Sequence, residues 1–455
     1  MAFSGALIGP DDPEYDAARA VWNGMIDKHP ALIARCTCSA DVAAAVNFAR
    51  DNKLAVAVRG GGHNVAGNAT CDRGIVIDLT PMKEIRVDDA ARVAHAQAGC
   101  TWGELDAATQ RYGLATPGGA VSDTGIAGLT LGGGYGWLRS KYGLSCDNLI
   151  AAEVVTADGR IVHAGENENF DLLWGLRGGG GNFGIVTTFS YRLHPVGPEV
   201  MFTFVLHDGT GEKMAEGLRY YRQYCATVPD EASTIAVCGQ VPPEPTFPEE
   251  LHLRPYILFG ALYAGDLQEG KQVLQPLHDF GEPLLDFSGV RPYLEAQRAW
   301  DADYPTGKRY YWKSANVMSL DDATITCIVE HARRQPSPNN TIDVWHIGGA
   351  VKQVSPAASA FNGRQAAFLI SPEGNWEHRE EDQANIDWVR AIVASMEPYS
   401  DGSSYLNFPG LYEEGDEMMK RSFGAQYERL AQLKTKYDPT NLFGLNQNIK
   451  PLMVR

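Results

Sequence analysis

Short β-rich runs divided by glycine and polar turns dominate the first two hundred positions. Residues 54–59 and 74–79 are compact apolar runs, and 92–98 alternates apolar and polar positions, so each predicts a strand. Helical spacing lies between and after them. Residues 12–29 set Ala and Trp on one face and predict a helix. A second opens at Ser39-Ala-Asp-Val42, with Ser39 as N-cap and Val42, Val46 and Ala49 recurring at helical spacing. Residues 102–112 predict an amphipathic third. Further on, 151–162 predicts a hairpin turning at Asp158-Gly159, 169–174 a short helix and 184–193 a strand. After His194-Pro195 the texture changes: glycine clusters thin out, and prolines and aromatics increase. Alternating runs at 200–206 and 342–347 mix with helical stretches at 211–224 and 382–396, which predicts an α+β region. Residues 427–436 predict a last helix, stopping before Asp438-Pro439. There is no internal repeat.

Composition narrows the class. A chain of 455 residues suggests two or three domains, and 44% hydrophobic with 21% charged residues is globular. A net charge of −17 argues against a nucleic-acid partner. No secretory signal is visible in 1–16, and no apolar run reaches the roughly 18 residues of a membrane span, so no membrane partner is expected. The eight cysteines are scattered, and Cys36-x-Cys38 lacks a second Cys/His pair at zinc spacing. Reduced thiols, no metal and a cytoplasmic location are the expectation.

The 48 glycines cluster, chiefly at 59–64, 125–136 and 177–184. Glycine lets backbone N–H groups approach a pyrophosphate closely, so three such loops beside predicted strands point to a large phosphate-bearing cofactor. Tight turns in a β-rich domain are the plain alternative. A dinucleotide fold of the Rossmann type is also weighed. Gly60-Gly61-Gly62 follows a strand, and Asp78 stands near the ribose-binding spacing. But 64–74 leads into a strand instead of opening a helix.

Several motifs occur in order: Val58-Arg-Gly-Gly-Gly-His-Asn64, Thr116-Pro-Gly-Gly119, Gly132-Gly-Gly-Tyr-Gly136 and Lys141-Tyr-Gly-Leu-Ser-Cys-Asp-Asn148. They are followed by Leu173-Trp-Gly-Leu-Arg-Gly-Gly-Gly-Gly-Asn-Phe-Gly-Ile-Val-Thr187, Tyr405-Leu-Asn407 and Tyr437-Asp-Pro-Thr-Asn-Leu-Phe443. Together they resemble the berberine bridge enzyme-like oxidoreductases of the vanillyl-alcohol oxidase and p-cresol methylhydroxylase superfamily. The resemblance spans nearly the whole chain and is weakest over 200–400. It implies an α+β fold. An FAD-binding domain of two subdomains would occupy 1–195, and a substrate domain, an antiparallel sheet backed by helices, 196–405. A segment at 406–455 would return to the FAD domain.

The resemblance also implies roles. His63 takes the place of the histidine bonded to the flavin 8α-methyl carbon. Val121 stands where many members carry a second, cysteinyl link, so a single link is expected. Arg59, Gly60, Gly61, Gly62 and Asn64 form the first cofactor loop. Gly118, Ser122, Thr124, Gly125 and Gly128 belong to the second, with Thr124 beside the flavin C4a region, where oxygen access is influenced. Gly132, Gly133, Gly136, Asn148, Gly184 and Val186 follow, and Asn407, Asn446 and Asn448 come from the tail.

For the chemistry, Tyr405 matches the family tyrosine near the flavin ring and is expected to be the base. Asp343 is expected to hydrogen-bond and orient it, with Asp343 as direct base the variant and a solvated strand carboxylate the plain alternative. Strand alternation puts Trp345 on the same face as Asp343. Tyr135 is expected on the active-site side, or else as a core aromatic, and Lys313 and His346 as substrate-cavity residues. The implied reaction is hydride transfer from a small-molecule CH–OH or CH–NH carbon to flavin N5, with O2 as acceptor. A flavin dehydrogenase or oxidative-cyclisation enzyme with another acceptor, a non-catalytic flavin-binding protein and an NAD enzyme are the competing readings.

Overall fold

The computed structural model describes residues 3–411 and 415–452. Two small sheets and one large one organise them. The first sheet has the order Ala6–Ile8, Leu32–Arg35, Ile75–Asp78, Val56–Arg59, with its three inner-and-edge pairings parallel except the first, which is antiparallel. Its three parallel strands are largely apolar and buried, as parallel strands covered on both faces must be. The second is antiparallel, in the order Ile85–Asp88, Val93–Gln97, Ile185–Arg192, Leu149–Val155, Ile161–Ala164. The helix Ser39–Asp51 packs against both sheets.

The large antiparallel sheet runs Pro283–Asp286, Glu199–Asp208, Pro255–Tyr263, Ala232–Gln240, Thr341–His346, Phe368–Trp376, Arg309–Trp312. Period-two alternation splits its residues between two cores. Ala236, Cys238, Ile342, Val344 and Ile370 pack beneath the helices Lys213–Cys225, Leu267–His278, Asp322–Ala332 and Asp382–Met396. Ile235, Val237, Trp345 and Leu369 face the other way, onto Tyr135, Trp137 and Tyr405. The fold is the expected α+β arrangement of an antiparallel sheet backed by helices. No helix among the described residues is long and apolar enough to cross a membrane.

The predicted hairpin forms as Leu149–Val155 and Ile161–Ala164, with Gly159 at φ +80° in its turn. The helix predicted over 382–396 matches Asp382–Met396, and the last helix, Tyr427–Tyr437, ends at Asp438. Two expectations need correction. Of the helix predicted over 12–29, only Tyr15–Arg19 is helical. Beyond it the side chains serve tertiary contacts: Trp22 Nε1 donates to Tyr304 O at 3.0 Å, and Asn23 Nδ2 donates to Val65 O and Tyr310 O. Ser39 is the first helical residue and not the cap, which is Cys38; the Ser39 hydroxyl instead donates to Glu153.

Candidate active site

A long cavity lies between the glycine loops and the free face of the large sheet. Gly60–Gly62, Gly125, Gly128 and Gly132 line one side, with Gly178–Gly181 and Gly184, and the apolar Val58, Leu79, Leu131, Ile185 and Val186 fill between them. The loops touch backbone to backbone: a Cβ on Gly61 would sit 2.4 Å from Gly125 N. Gly128 and Gly181 differ, for a Cβ there would meet no protein atom within 4 Å. These two leave room that no side chain of the chain uses.

The C-terminal segment completes this side. Lys434 Nζ donates to Asn182 O and Phe443 O at 2.9 and 3.0 Å and pairs with Asp438 at 2.7 Å, all buried. Asn182 Oδ1 accepts from Ile449 N at 2.9 Å. This clamp brings Phe443, Asn446 and Gln447 into the cavity wall beside the glycine run. Asn446 Oδ1 is buried there without a partner.

His63 follows Gly62, whose φ of +75° turns the chain sharply out of its strand. The imidazole stacks on Trp22 at 4.5 Å, and its Nε2 lies 2.8 Å from Asp123 Oδ1. Trp22 is held in turn against Tyr310 at 3.7 Å.

Tyr405 projects between the glycine loops and the sheet. Its Oη accepts from Gly134 N at 3.1 Å, Tyr135 N at 3.3 Å and Asn407 Nδ2 at 2.8 Å. Gly134 can present its N–H this way because its φ is +96°. Burial pushes the Tyr405 phenol up to about 12, while the three donors pull it down. A neutral hydroxyl has two lone pairs, so three donors on one oxygen suit the phenolate better than the phenol. Tyr135 packs edge-on to Tyr405 at 4.9 Å and lines the cavity, with burial raising its phenol.

The expected hydrogen bond from Asp343 to Tyr405 does not form. The Tyr405 oxygen is taken by the three N–H donors, and Asp343 Oδ1 is buried with no partner. The charged neighbour of Asp343 is Glu373, on the next strand, where Asp343 pairs with Ser371 and Thr341 with Glu373. The two carboxyls therefore sit diagonally on one face. Burial first, then the Glu373 charge, drives the Asp343 carboxyl well above the carboxylate range. Burial raises Glu373 to about 7, against hydrogen bonds donated by Tyr304 Oη at 2.7 Å and Ser371 Oγ at 3.1 Å.

Other calls separate cleanly. Gly60, Gly61, Gly62, His63, Asn64, Thr124, Gly125, Gly128, Gly132, Gly184, Val186, Asn407 and Asn446 line the cavity, as do Tyr135, Asp343, Trp345 and Tyr405. Arg59 does not, because its guanidinium is buried against Asp78 at 2.7 Å and donates to Ala18 O. That pair also removes Asp78 from a ribose-binding role. Gly118 packs under the Trp102 ring, Gly136 abuts Gly118 O, and Gly133 lies against Phe361, so all three serve loop packing. Ser122 donates to Asp301 through N and Oγ. Asn148 bonds Tyr142 O, Leu144 O and His194. Asn448 is half-buried outside the cavity lining, with its Oδ1 unpartnered. His346 falls one residue beyond Trp345 and so on the opposite face, against Phe368. Lys313 lies along Gly410, also off the lining. Sequence reading missed Glu373, Trp300, Tyr304, Trp312 and Phe408 on the cavity wall. The alternation in 368–376 was the available signal for Glu373, but Pro372 interrupts it.

Residues 30–165 match the family described as FAD binding domain, and 404–450 match the family described as berberine and berberine like. The chain is 32% identical to an FAD-linked oxidoreductase of Dictyostelium discoideum, over 95% of this chain and 91% of that protein. It is 29% identical to (R)-6-hydroxynicotine oxidase of Paenarthrobacter nicotinovorans, over 99% of this chain and 98% of that one. The crystal structure of 6-hydroxy-D-nicotine oxidase from Arthrobacter nicotinovorans superposes with a TM-score of 0.89 at 28% identity, covering 99% of both chains. The cavity fits an FAD. The open space at Gly128 and Gly181 and the unpartnered amide oxygen of Asn446 are what a long, polar-edged ligand requires.

Proposed function

The chain belongs to the berberine bridge enzyme-like FAD-linked oxidoreductases, and we propose that it oxidises a CH–OH or CH–NH carbon of a small molecule. In this reading the flavin is attached through His63 alone and O2 is the electron acceptor. Residues 1–195 with 406–455 bind the cofactor, and 196–405 supply the substrate wall. The eight free cysteines suit a reducing compartment, so the site of action is the cytoplasm.

The observation that carries the reading is the meeting of the glycine-lined cleft with Tyr405 and its three N–H donors. When bound, FAD supplies the hydride acceptor. The protein's task is to remove the heteroatom proton as the hydride leaves. Tyr405 takes that proton when ionised, and the N–H groups of Gly134, Tyr135 and Asn407 stabilise its phenolate in part against the cost of burial. Trp312 and Trp345 on the sheet, with Trp300 beside them, exclude water and flatten the substrate toward the cleft. Asp343 and Glu373 polarise the end of the cavity away from the loops. His63, stacked on Trp22 and 2.8 Å from Asp123, is held in one orientation for its bond to the flavin.

The test is acid precipitation of wild type and His63→Ala, read by flavin fluorescence of the denatured chains. The wild-type pellet should stay yellow and the variant should release its colour. A wild-type pellet that loses its flavin overturns the covalent link. Oxygen uptake on substrate addition then tests the acceptor, and turnover that needs an added dye overturns O2.

A further inference from the structure

The end of the cavity against the large sheet combines two buried carboxyls with a box of rings. Trp300, Tyr304, Trp312 and Trp345 line it with Asp343 and Glu373. The carboxyl groups are 2% and 3% exposed, and among the described residues neither has an ion-pair partner. Burying a carboxylate unpaired is expensive, and two side by side more so, so with no cation bound the pair holds protons. The Glu373 oxygens are at least partly satisfied, by Tyr304 and Ser371. The Asp343 carboxyl has only the nearby Thr341 hydroxyl on its own strand, and its Oδ1 is left open, buried on the cavity wall. A buried acceptor left open calls for a donor from outside the chain. The Arg139 guanidinium lies 5.1 Å over the Trp345 ring but spends its N–H groups on Gly136 O, Thr234 O and His346 O.

Each class of ligand meets this end differently. An anion would face two carboxyls. A neutral alcohol would satisfy one acceptor and do nothing to favour ionisation of the pair. An ammonium would donate to Asp343, favour release of a proton from the pair and lie against the ring faces, which attract cations. The chain's net charge of −17 raises the local concentration of cations as well.

We propose that this end of the cavity recognises an organic cation, and that the substrate is an amine carried in its ammonium form on a flat apolar body. The proposal rests on the reading of the cavity as the substrate site of a flavin oxidase, and it selects the CH–NH branch of that reading.

The experiment is titration of the purified holoenzyme with three probes of similar shape: benzylammonium, benzyl alcohol and benzoate. Quenching of tryptophan fluorescence reports binding, since Trp300, Trp312 and Trp345 line the site. The cation should bind at least about tenfold more tightly than the alcohol, an advantage equal to about 1.4 kcal/mol, and benzoate should bind most weakly. Asp343→Asn with Glu373→Gln, a near-isosteric pair of changes, should level the cation and the alcohol while the flavin stays in place. Equal affinity of wild type for cation and alcohol overturns the proposal, as does a cation preference that survives in the double variant. A wild-type protein without flavin would overturn the oxidase reading instead, and the fluorescence titration would still decide the cation preference.

Discussion

The two sides of the cavity are made of different materials. The cleft side is backbone: glycines from three loops, packed so closely that Gly61 and Gly125 leave no room for a methyl between them. The sheet side is side chain: Trp312, Asp343, Trp345 and Glu373 standing on strands that are otherwise ordinary core, with Trp300 and Tyr304 added from the turn at 300–304. A backbone wall recognises what every FAD shares and tolerates almost no change. A side-chain wall on a well-packed sheet can be rewritten residue by residue without touching the fold. The difference explains how one scaffold keeps its cofactor while its substrate drifts.

The largest expected effect separates two glycines of the same wall. Gly61→Ala drives a Cβ to 2.4 Å from Gly125 N, and overpacking of backbone against backbone costs about 1–3 kcal/mol or more. The variant should melt several degrees lower and lose most of its flavin. Gly128→Ala meets no protein atom within 4 Å and lies in the helix Ile126–Leu131, where alanine is the better former by about 0.5–1 kcal/mol. Its apoprotein should melt no lower than wild type, yet its flavin absorbance should fall. Full flavin content in Gly128→Ala would show that the cleft is not read by its backbone.

Next in size is Tyr405→Phe. It removes the oxygen that gathers three donors and should slow anaerobic flavin bleaching by at least about 100-fold, with flavin retained. An unchanged reduction rate would take Tyr405 out of the chemistry.

Glu373→Gln probes the sheet side through pH. Burial raises the Glu373 carboxyl from 4.5 to about 7. The folded chain thus holds this proton more tightly than the unfolded chain. That contribution to stability is complete below pH 4.5 and is lost as pH rises through about 7. The melting temperature of wild type minus that of the variant should therefore decline across this window. A flat difference would mean that no raised proton resides on Glu373.

The smallest effect is expected at Thr101, which caps the helix Trp102–Thr109 in a capping box with Glu104 and bridges Gly125. Thr101→Ala should cost about 1 kcal/mol in denaturant unfolding and leave flavin content unchanged. A large flavin loss would show that the cap positions the glycine loop as well as the helix.

The same contrast governs what could be read from the sequence. The cleft was legible because each of its loops is a local motif: Gly60-Gly61-Gly62-His63 announces a turn, a close approach and a nucleophile within four residues. The calls that strayed, Arg59, Asn148 and Ser122, are polar neighbours whose side chains turn away to brace the loops. The sheet side was only half legible. Alternation gave Asp343 and Trp345 a common face, but nothing local shows that 341 stands opposite 373, the register that sets the two acids together. His346 and Lys313 failed for the same reason, since a side chain's face depends on strand phase and on where the strand ends. The helix expected over 12–29 was lost because Trp22 and Asn23 are claimed by residues nearly 300 positions away.

The buried Lys434 clamp sets a clock on the newborn chain. Its contact with Asn182 spans 252 positions, so the cradle stays a one-sided groove until both partners exist. At translation rates of about 5–20 residues per second, that gap corresponds to roughly 10–50 seconds. During that interval the emerging polypeptide exposes its glycine loops with no lid of 443–449 over them. Capture of the dinucleotide is thereby deferred, and the order of synthesis itself dictates that the holoenzyme matures late.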